Sequence, residues 1–372
     1  MNPKTRACQN CKADFVIEPD DFAFYEKVKV PPPTFCPRCR LARRLSWRNE
    51  RSLYHRDCNL CGKKIISMYD PVRGNTVYCH DCWYSDKWDP GSYGLDYDFA
   101  KPFFEQYASL LKRVPFLALS NYNSVNSEFT NFVDQNKNCY LIFGSGLSED
   151  VLYGSKAIEC KDSMDVLSCT KGELLYDCVN CSESYRLRFS KDSKSCTDSW
   201  FLDSCRNCSN CFGCTNLIGK SYCFFNEQYS KEEYAHKLQE VQVGKYSSIV
   251  ALKKKFYKES YLPAPHRYAN IVGSVGCTGD NINNSKNCIG SFDLFHDCED
   301  SKFLFSSLNT KDEYDGMGQY KNYFSYECVD TDGGDHNVST VTVYHSSNAK
   351  YSFNCHNSQD IFGCIGLRKK SY

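Results

Sequence analysis

The chain has 372 residues, and its Lys+Arg and Asp+Glu counts balance at 45 each. That length suits two or three domains, and a net charge near zero singles out no class of partner. No run approaches the roughly 18 apolar residues of a membrane span, and the opening MNPKTRACQNCK is polar, so neither a span nor a secretory leader is expected.

The unusual feature is cysteine, 25 residues in all. The odd count and the missing export signal point to a reducing cytoplasm. There, cysteine serves as a metal thiolate or as a small buried side chain. Residues 1–97 hold four Cys-x-x-Cys pairs: Cys8/Cys11, Cys36/Cys39, Cys58/Cys61 and Cys79/Cys82. Two residues between thiolates let one knuckle aim both sulfurs at a single tetrahedral ion. The spacing therefore predicts two zinc ions in a tandem zinc-ribbon module, each with four thiolates and no open coordination position. Sequential pairing and an interleaved cross-brace both satisfy the spacing. His80, between Cys79 and Cys82, is a further possible ligand or an exposed polar residue.

Between the two expected ribbons runs a basic segment with Arg38, Arg40, Arg43, Arg44, Arg48, Arg51 and Arg56. Leu41, Leu45, Arg48 and Ser52 fall at helical offsets. Residues 1–64 carry 14 Lys/Arg against 7 Asp/Glu, hence +7, which leaves −7 for the remainder. Arginines on such a helix suit phosphate contact, so DNA or RNA binding through this face is expected. Neutralising thiolates and acidic surface is the competing use.

Residues 98–137 read as a helix and linker, with the helix in DFAKPFFEQYASLLKRVP. From residue 138 the cysteines become periodic. Cys160, Cys169 and Cys178 are nine apart, as are Cys196, Cys205, Cys214 and Cys223. Nine residues is read as the step between short strands, and two steps as a rung of about 18–20 residues in a parallel β-solenoid. Inward cysteines would then be structural. The block Phe212-Gly213-Cys214 recurs as Phe362-Gly363-Cys364, shifted by 150, while Lys137-Asn138-Cys139 recurs at Lys286-Asn287-Cys288, shifted by 149. This divides the rest into a first copy (138–229), a helical insert (230–280) opening on the capping box Ser230 to Glu233, and a second copy (281–372). The fold class expected is mainly β: two N-terminal zinc ribbons, then a duplicated β-solenoid with a helical insert.

The stretches FYEKVKVPPPTFCPRCRLARRLSWRNERSLYHRDC, YSDKWDP, DFAKPFFEQY and FGCTNLIGKSYCFFNEQYSKEEY resemble an uncharacterised cysteine-rich family of candidate-phylum bacteria. The resemblance implies N-terminal zinc ribbons and a C-terminal cysteine repeat region, and it brings no catalytic residue.

No catalytic constellation is identified. Glu149/Asp150 and Asp162/Asp165 are acidic pairs of the kind a carbohydrate-active β-helix enzyme would use, and the Asp330–His336 stretch resembles a calcium loop only loosely. The expectation is a non-enzymatic zinc-binding protein that contacts nucleic acid, with a protein-interaction scaffold as the alternative. The second copy ends where the first continues into Cys223, so self-association or partner binding is expected at the 351–372 end.

Overall fold

The computed structural model describes residues 2–49 and 51–371. The fold is mainly β with parallel sheets and six α-helices among the described residues. In the first cysteine module, β1 (Lys4–Ala7) and β2 (Asp14–Ile17) form an antiparallel hairpin around Cys8 and Cys11. Two helices follow, α1 (Pro19–Lys27) and α2 (Pro37–Leu45). The second module repeats the plan, with β3 (Tyr54–Asp57) and β4 (Lys64–Ser67) around Cys58 and Cys61, then β5 (Val77–Tyr78) and the short α3 (His80–Trp83). In both modules the first cysteine pair lies at a hairpin and the second at a helix N-terminus. Helix α4 (Phe103–Arg113) leads into β6 (Phe116–Leu117), which pairs in parallel with β5. That pair joins the second module to the repeats.

The repeat differs in period from the expected rung. The repeat's own parallel pairing starts at Asn121, inside the segment read as helix and linker. From Asn121↔Val133 to Phe212↔Phe224 every parallel bridge joins residues twelve positions apart. The expected step of 18–20 is therefore corrected to twelve. Within each twelve, every third residue is buried, as at Cys160, Ser163, Val166 and Cys169. Every third residue is also left-handed, as at Asp162 (φ 46), Asp165 (φ 55) and Ser168 (φ 56). The basic unit is a three-residue side closed by a left-handed corner, a conformation that Asn, Asp and Gly adopt most readily.

The hydrogen bonds explain which residues point inward. Glu149 N–H donates to the Cys160 carbonyl at 2.9 Å and Asp150 N–H to the Lys137 carbonyl at 3.0 Å. The inward Ser148 N–H donates to a side chain one repeat earlier, Asn136 Oδ1, at 2.9 Å. Cys160 N–H likewise donates to Ser148 Oγ at 3.1 Å, and Cys211 N–H to Ser199 Oγ at 3.0 Å. A buried N–H left without a partner is costly, so small inward side chains with an acceptor are favoured over purely aliphatic ones. The thiols act in the other direction. Cys160 Sγ donates to the Cys169 carbonyl at 3.0 Å, and Cys205 and Cys214 do the same to carbonyls nine residues on at 3.5 Å. Nine residues is three sides, which gives the nine-residue cysteine spacing its contact. Because Cys169 is buried, Cys169→Ala should cost about 1 kcal/mol. Cys169→Asp should cost several-fold more in a denaturant titration, because it buries an unpaired carboxylate.

The second repeat region keeps the twelve-residue register from Glu299↔Lys311 to Gln359↔Ser371. Before that, the offset is thirteen at Phe292↔Phe305 and Leu294↔Ser307. One extra residue lies between inward Leu294 and inward Cys298, which accounts for the change in duplication shift from 149 to 150. Since 150 is a multiple of three, inward positions of the two copies superpose in sequence. The insert is α5 (Lys231–Glu240), with its Ser230–Glu233 capping box formed, and α6 (Tyr246–Phe256). Its Tyr234, Leu238, Ile249 and Phe256 pack on Phe201 and Phe212 of the first copy.

The interior of the second copy is apolar at both ends but polar between them. Leu294 and Leu304 belong to one cluster and Val343 and Ala349 to another. Between them Glu313 is wholly buried, with neither carboxylate oxygen hydrogen-bonded among the described residues. Burial holds its pKa well above the usual carboxylate value; Arg44 works against that shift and Asp315 adds to it. A folded-state pKa raised this way gives stability that is complete below the unfolded value, about 4.3. That stability is lost as pH rises towards the folded value. Glu313→Gln should therefore raise the melting temperature more at pH 7 than at pH 4. Equal shifts at both pH values would contradict this.

Candidate metal centres and the docked arginine helix

The cysteine sulfurs form two clusters. Cys8, Cys11, Cys36 and Cys39 make one, and Cys58, Cys61, Cys79 and Cys82 the other, with all sulfurs of a cluster within 4.8 Å of one another. The pairing is sequential; the cross-brace is not formed. Cys11 Sγ lies 3.8 Å from Cys36 Sγ, and Cys61 Sγ lies 4.0 Å from Cys79 Sγ. A tetrahedral ion bonded at about 2.3 Å sets its sulfurs about 3.8 Å apart, so both clusters fit such an ion.

Local backbone builds each cluster. After Cys58-x-x-Cys61 the chain turns through left-handed Gly62 (φ 73), and after Cys8-x-x-Cys11 through Lys12 (φ 65). The N–H groups of Cys36 and Cys79, at the helix starts, point at Cys8 Sγ (3.2 Å) and Cys58 Sγ (3.3 Å). Burial pushes the Cys8 pKa up, but backbone N–H bonds, led by that of Cys36, outweigh it and bring the thiol to about 6. The same balance, led by Cys79 N–H, brings Cys58 to about 7. Both environments favour the thiolate a metal requires. His80 is half-exposed, with its ring 4.7 Å from the Tyr84 ring at a tilt of 46°, outside the cluster.

The arginine helix does not face solvent as a basic surface. Arg40 and Arg44 are 1% and 3% exposed. Both bind the buried Asp315 of the second repeat, through Arg40 Nε to Oδ2 at 2.8 Å and Arg44 Nη1 to Oδ1 at 3.0 Å. Burial works against the Arg40 charge, and Asp315 more than restores it. Arg43 pairs with Glu327, and Arg48 lies 4.0 Å from Asp330. Arg56 holds the Tyr69 and Asn75 carbonyls within its own module. Nucleic-acid contact through Arg40 and Arg44 is thus corrected: their charges are spent on the protein's own carboxylates. Of the seven arginines, Arg38 and Arg51 remain exposed with no such partner among the described residues.

Aromatic packing completes the docking. Phe24 stacks on Tyr314 at 3.8 Å, and Tyr25 meets Tyr326 edge-on at 5.6 Å. Lys302 reaches back to Asp20 (2.6 Å) and Asp21 (2.7 Å) on α1. In the second module Trp83 and Trp88 share a core with Phe116, Phe353 and Ile365. Arg368 lies over both tryptophan rings, and Phe103 of α4 packs against Phe362. The flank of the C-terminal repeat is therefore covered from within the chain. Tyr372 lies outside the described residues.

Of the acidic pairs weighed as catalytic, Glu149/Asp150 is engaged elsewhere, and Asp162 and Asp165 are exposed. Glu149 pairs with Lys137, and Asp150 accepts from Asn138 Nδ2 at 3.1 Å. Sequence reasoning missed the Asp315, Asp20/Asp21 and Glu327 partners of the basic residues. It also missed a groove between the two repeat regions, crossed by Lys156 Nζ to Asp293 Oδ2 at 2.6 Å. The −7 balance of the remainder was the available signal for the former.

No family model matches the chain, and no curated protein matches it. Among solved structures, a candidate acetyltransferase from Desulfovibrio desulfuricans G20 matches at 10% identity over 58% of this chain and 63% of that one, with a TM-score of 0.13. A likeness that weak bears on neither fold nor activity. No described helix is long and apolar enough to cross a membrane.

Proposed function

We propose that this is a zinc-binding, non-enzymatic binding protein in which two structural zinc centres clamp a two-armed parallel β-solenoid. The observation that carries the reading is the pair of four-cysteine clusters, each with no place for a substrate. Each cluster ties a hairpin to a helix start, and that helix or its neighbour is seated on the second repeat. Four thiolates suit zinc better than harder, oxygen-seeking cations. On this reading the modules are staples, and the inter-repeat groove is the surface left for a ligand.

Arg38 and Arg51 alone are too few for a nucleic-acid face of the expected kind. The test is oligonucleotide binding at low and high salt by the parent chain and by Arg38→Glu/Arg51→Glu. The reading predicts no difference between them. A loss of salt-dependent binding in the variant would return the head to a nucleic-acid role.

A further inference from the structure

One stretch of the groove carries charge that the protein itself does not neutralise. Thr170, Ser182, Lys194 and Arg206 form a single outward column, each in parallel register with the next. Neighbouring strands lie about 4.8 Å apart, so Lys194 and Arg206 place two cations side by side, an arrangement that costs stability. Both are half-buried, and neither has an acidic partner among the described residues. Arg267, exposed on the segment entering the second repeat, adds a third cation with no acidic partner among the described residues to the same cleft of about 330 Å³. The local carboxylate, Asp192, is already engaged: it accepts from Asn180 Nδ2 at 3.2 Å and lies 3.7 Å from Lys191 Nζ. Lys156 is matched by Asp293. The surplus of positive charge is thus specific to Lys194, Arg206 and Arg267.

The rest of the cleft mixes apolar Ile158, Val272 and Phe295 with polar groups, some of them uncommitted. The hydroxyls of Thr170 and Ser182 and the amides of Asn270 and Asn283 line it, with no side-chain hydrogen bond among the described residues. Amides and hydroxyls offer both donors and acceptors to a polyhydroxylated ligand, and a cleft of this volume holds a small molecule. Arginine supplies a planar fork and lysine a point charge to a phosphate.

We propose that this cleft binds a sugar phosphate, with Lys194, Arg206 and Arg267 holding the phosphate and the amide and hydroxyl groups holding the sugar. The proposal rests on the groove reading above and adds the ligand chemistry. The full, metal-loaded chain is titrated calorimetrically with glucose 6-phosphate, ribose 5-phosphate, glucose, pyrophosphate and a single-stranded oligonucleotide. At least one sugar phosphate should bind, more weakly as salt is raised. Lys194→Ala/Arg206→Ala should weaken it by roughly tenfold or more. The same variant should melt no lower than the parent without ligand, because it removes a repulsion.

Failure of both sugar phosphates to bind, or undiminished binding by the variant, overturns the proposal. Equal affinity for pyrophosphate overturns the sugar half, and tighter oligonucleotide binding gives the cleft to nucleic acid. Two metal ions per chain with the modules still docked would mean that such a failure concerns the ligand alone. Loss of docking in the parent chain would instead refute the groove reading.

Discussion

Asp315→Ala should destabilise the protein by about 3–5 kcal/mol, because it strands two buried guanidinium groups at once. Arg40 and Arg44 both direct a nitrogen to this carboxylate, and all three side chains are almost wholly buried. Water cannot replace the lost carboxylate without opening the contact between α2 and the second repeat. Asp315→Asn should fall close to the alanine variant, since it keeps the shape and removes the charge. The informative variant is Asp315→Leu/Arg40→Met/Arg44→Met. A buried ion triad can be exchanged for apolar side chains at little cost, so this variant should recover most of the loss in chemical denaturation. An Asp315→Ala chain as stable as the parent would mean that the helix is not seated on the repeat.

Removing metal should have the other large effect. Structural zinc contributes on the order of 10 kcal/mol to small four-ligand modules, and the second module's core, Val77, Tyr78, Trp83 and Trp88, is shared with the repeat. Trp83 is fully buried and Trp88 nearly so. Because Cys58, Cys79 and Cys82 sit in the same core as these rings, a strong chelator, or Cys61→Ser, should expose them and shift tryptophan fluorescence to the red. The parallel strands of the first copy have their own thiol-lined core, so far-ultraviolet dichroism should change much less. Loss of both signals together would mean that the repeats depend on the modules for folding. Loss of neither would mean that no structural metal is present.

The parts of this structure that were legible in the sequence are local. A Cys-x-x-Cys pair with a left-handed residue after it forms its knuckle within five residues, so the pairs could be read directly. Sequential pairing could not, because spacing alone satisfies two arrangements. The capping box at Ser230 is equally local. The repeat was half legible. Following cysteine alone gave a period of nine, because thiols recur where their Sγ meets a carbonyl nine residues on. The three-residue unit was present in the run Ser190, Ser193, Cys196, Ser199, Leu202 and Cys205, where serine and cysteine alike are buried and donate to the carbonyl two residues back. It is hidden from any search that treats serine as surface and cysteine as core. The fate of the arginines was illegible for another reason. Charge can be counted along a chain, but Asp315 lies 275 residues from Arg40, and only the fold brings them together.

The central claim is that two four-thiolate zinc centres hold the modules to the repeats. It is tested most directly by measuring metal content and X-ray absorption on freshly purified, reduced protein. The account predicts two zinc ions per chain, each surrounded by four sulfur atoms at about 2.3 Å. Less than one metal ion per chain, iron in place of zinc, or a first shell containing oxygen or nitrogen would contradict it.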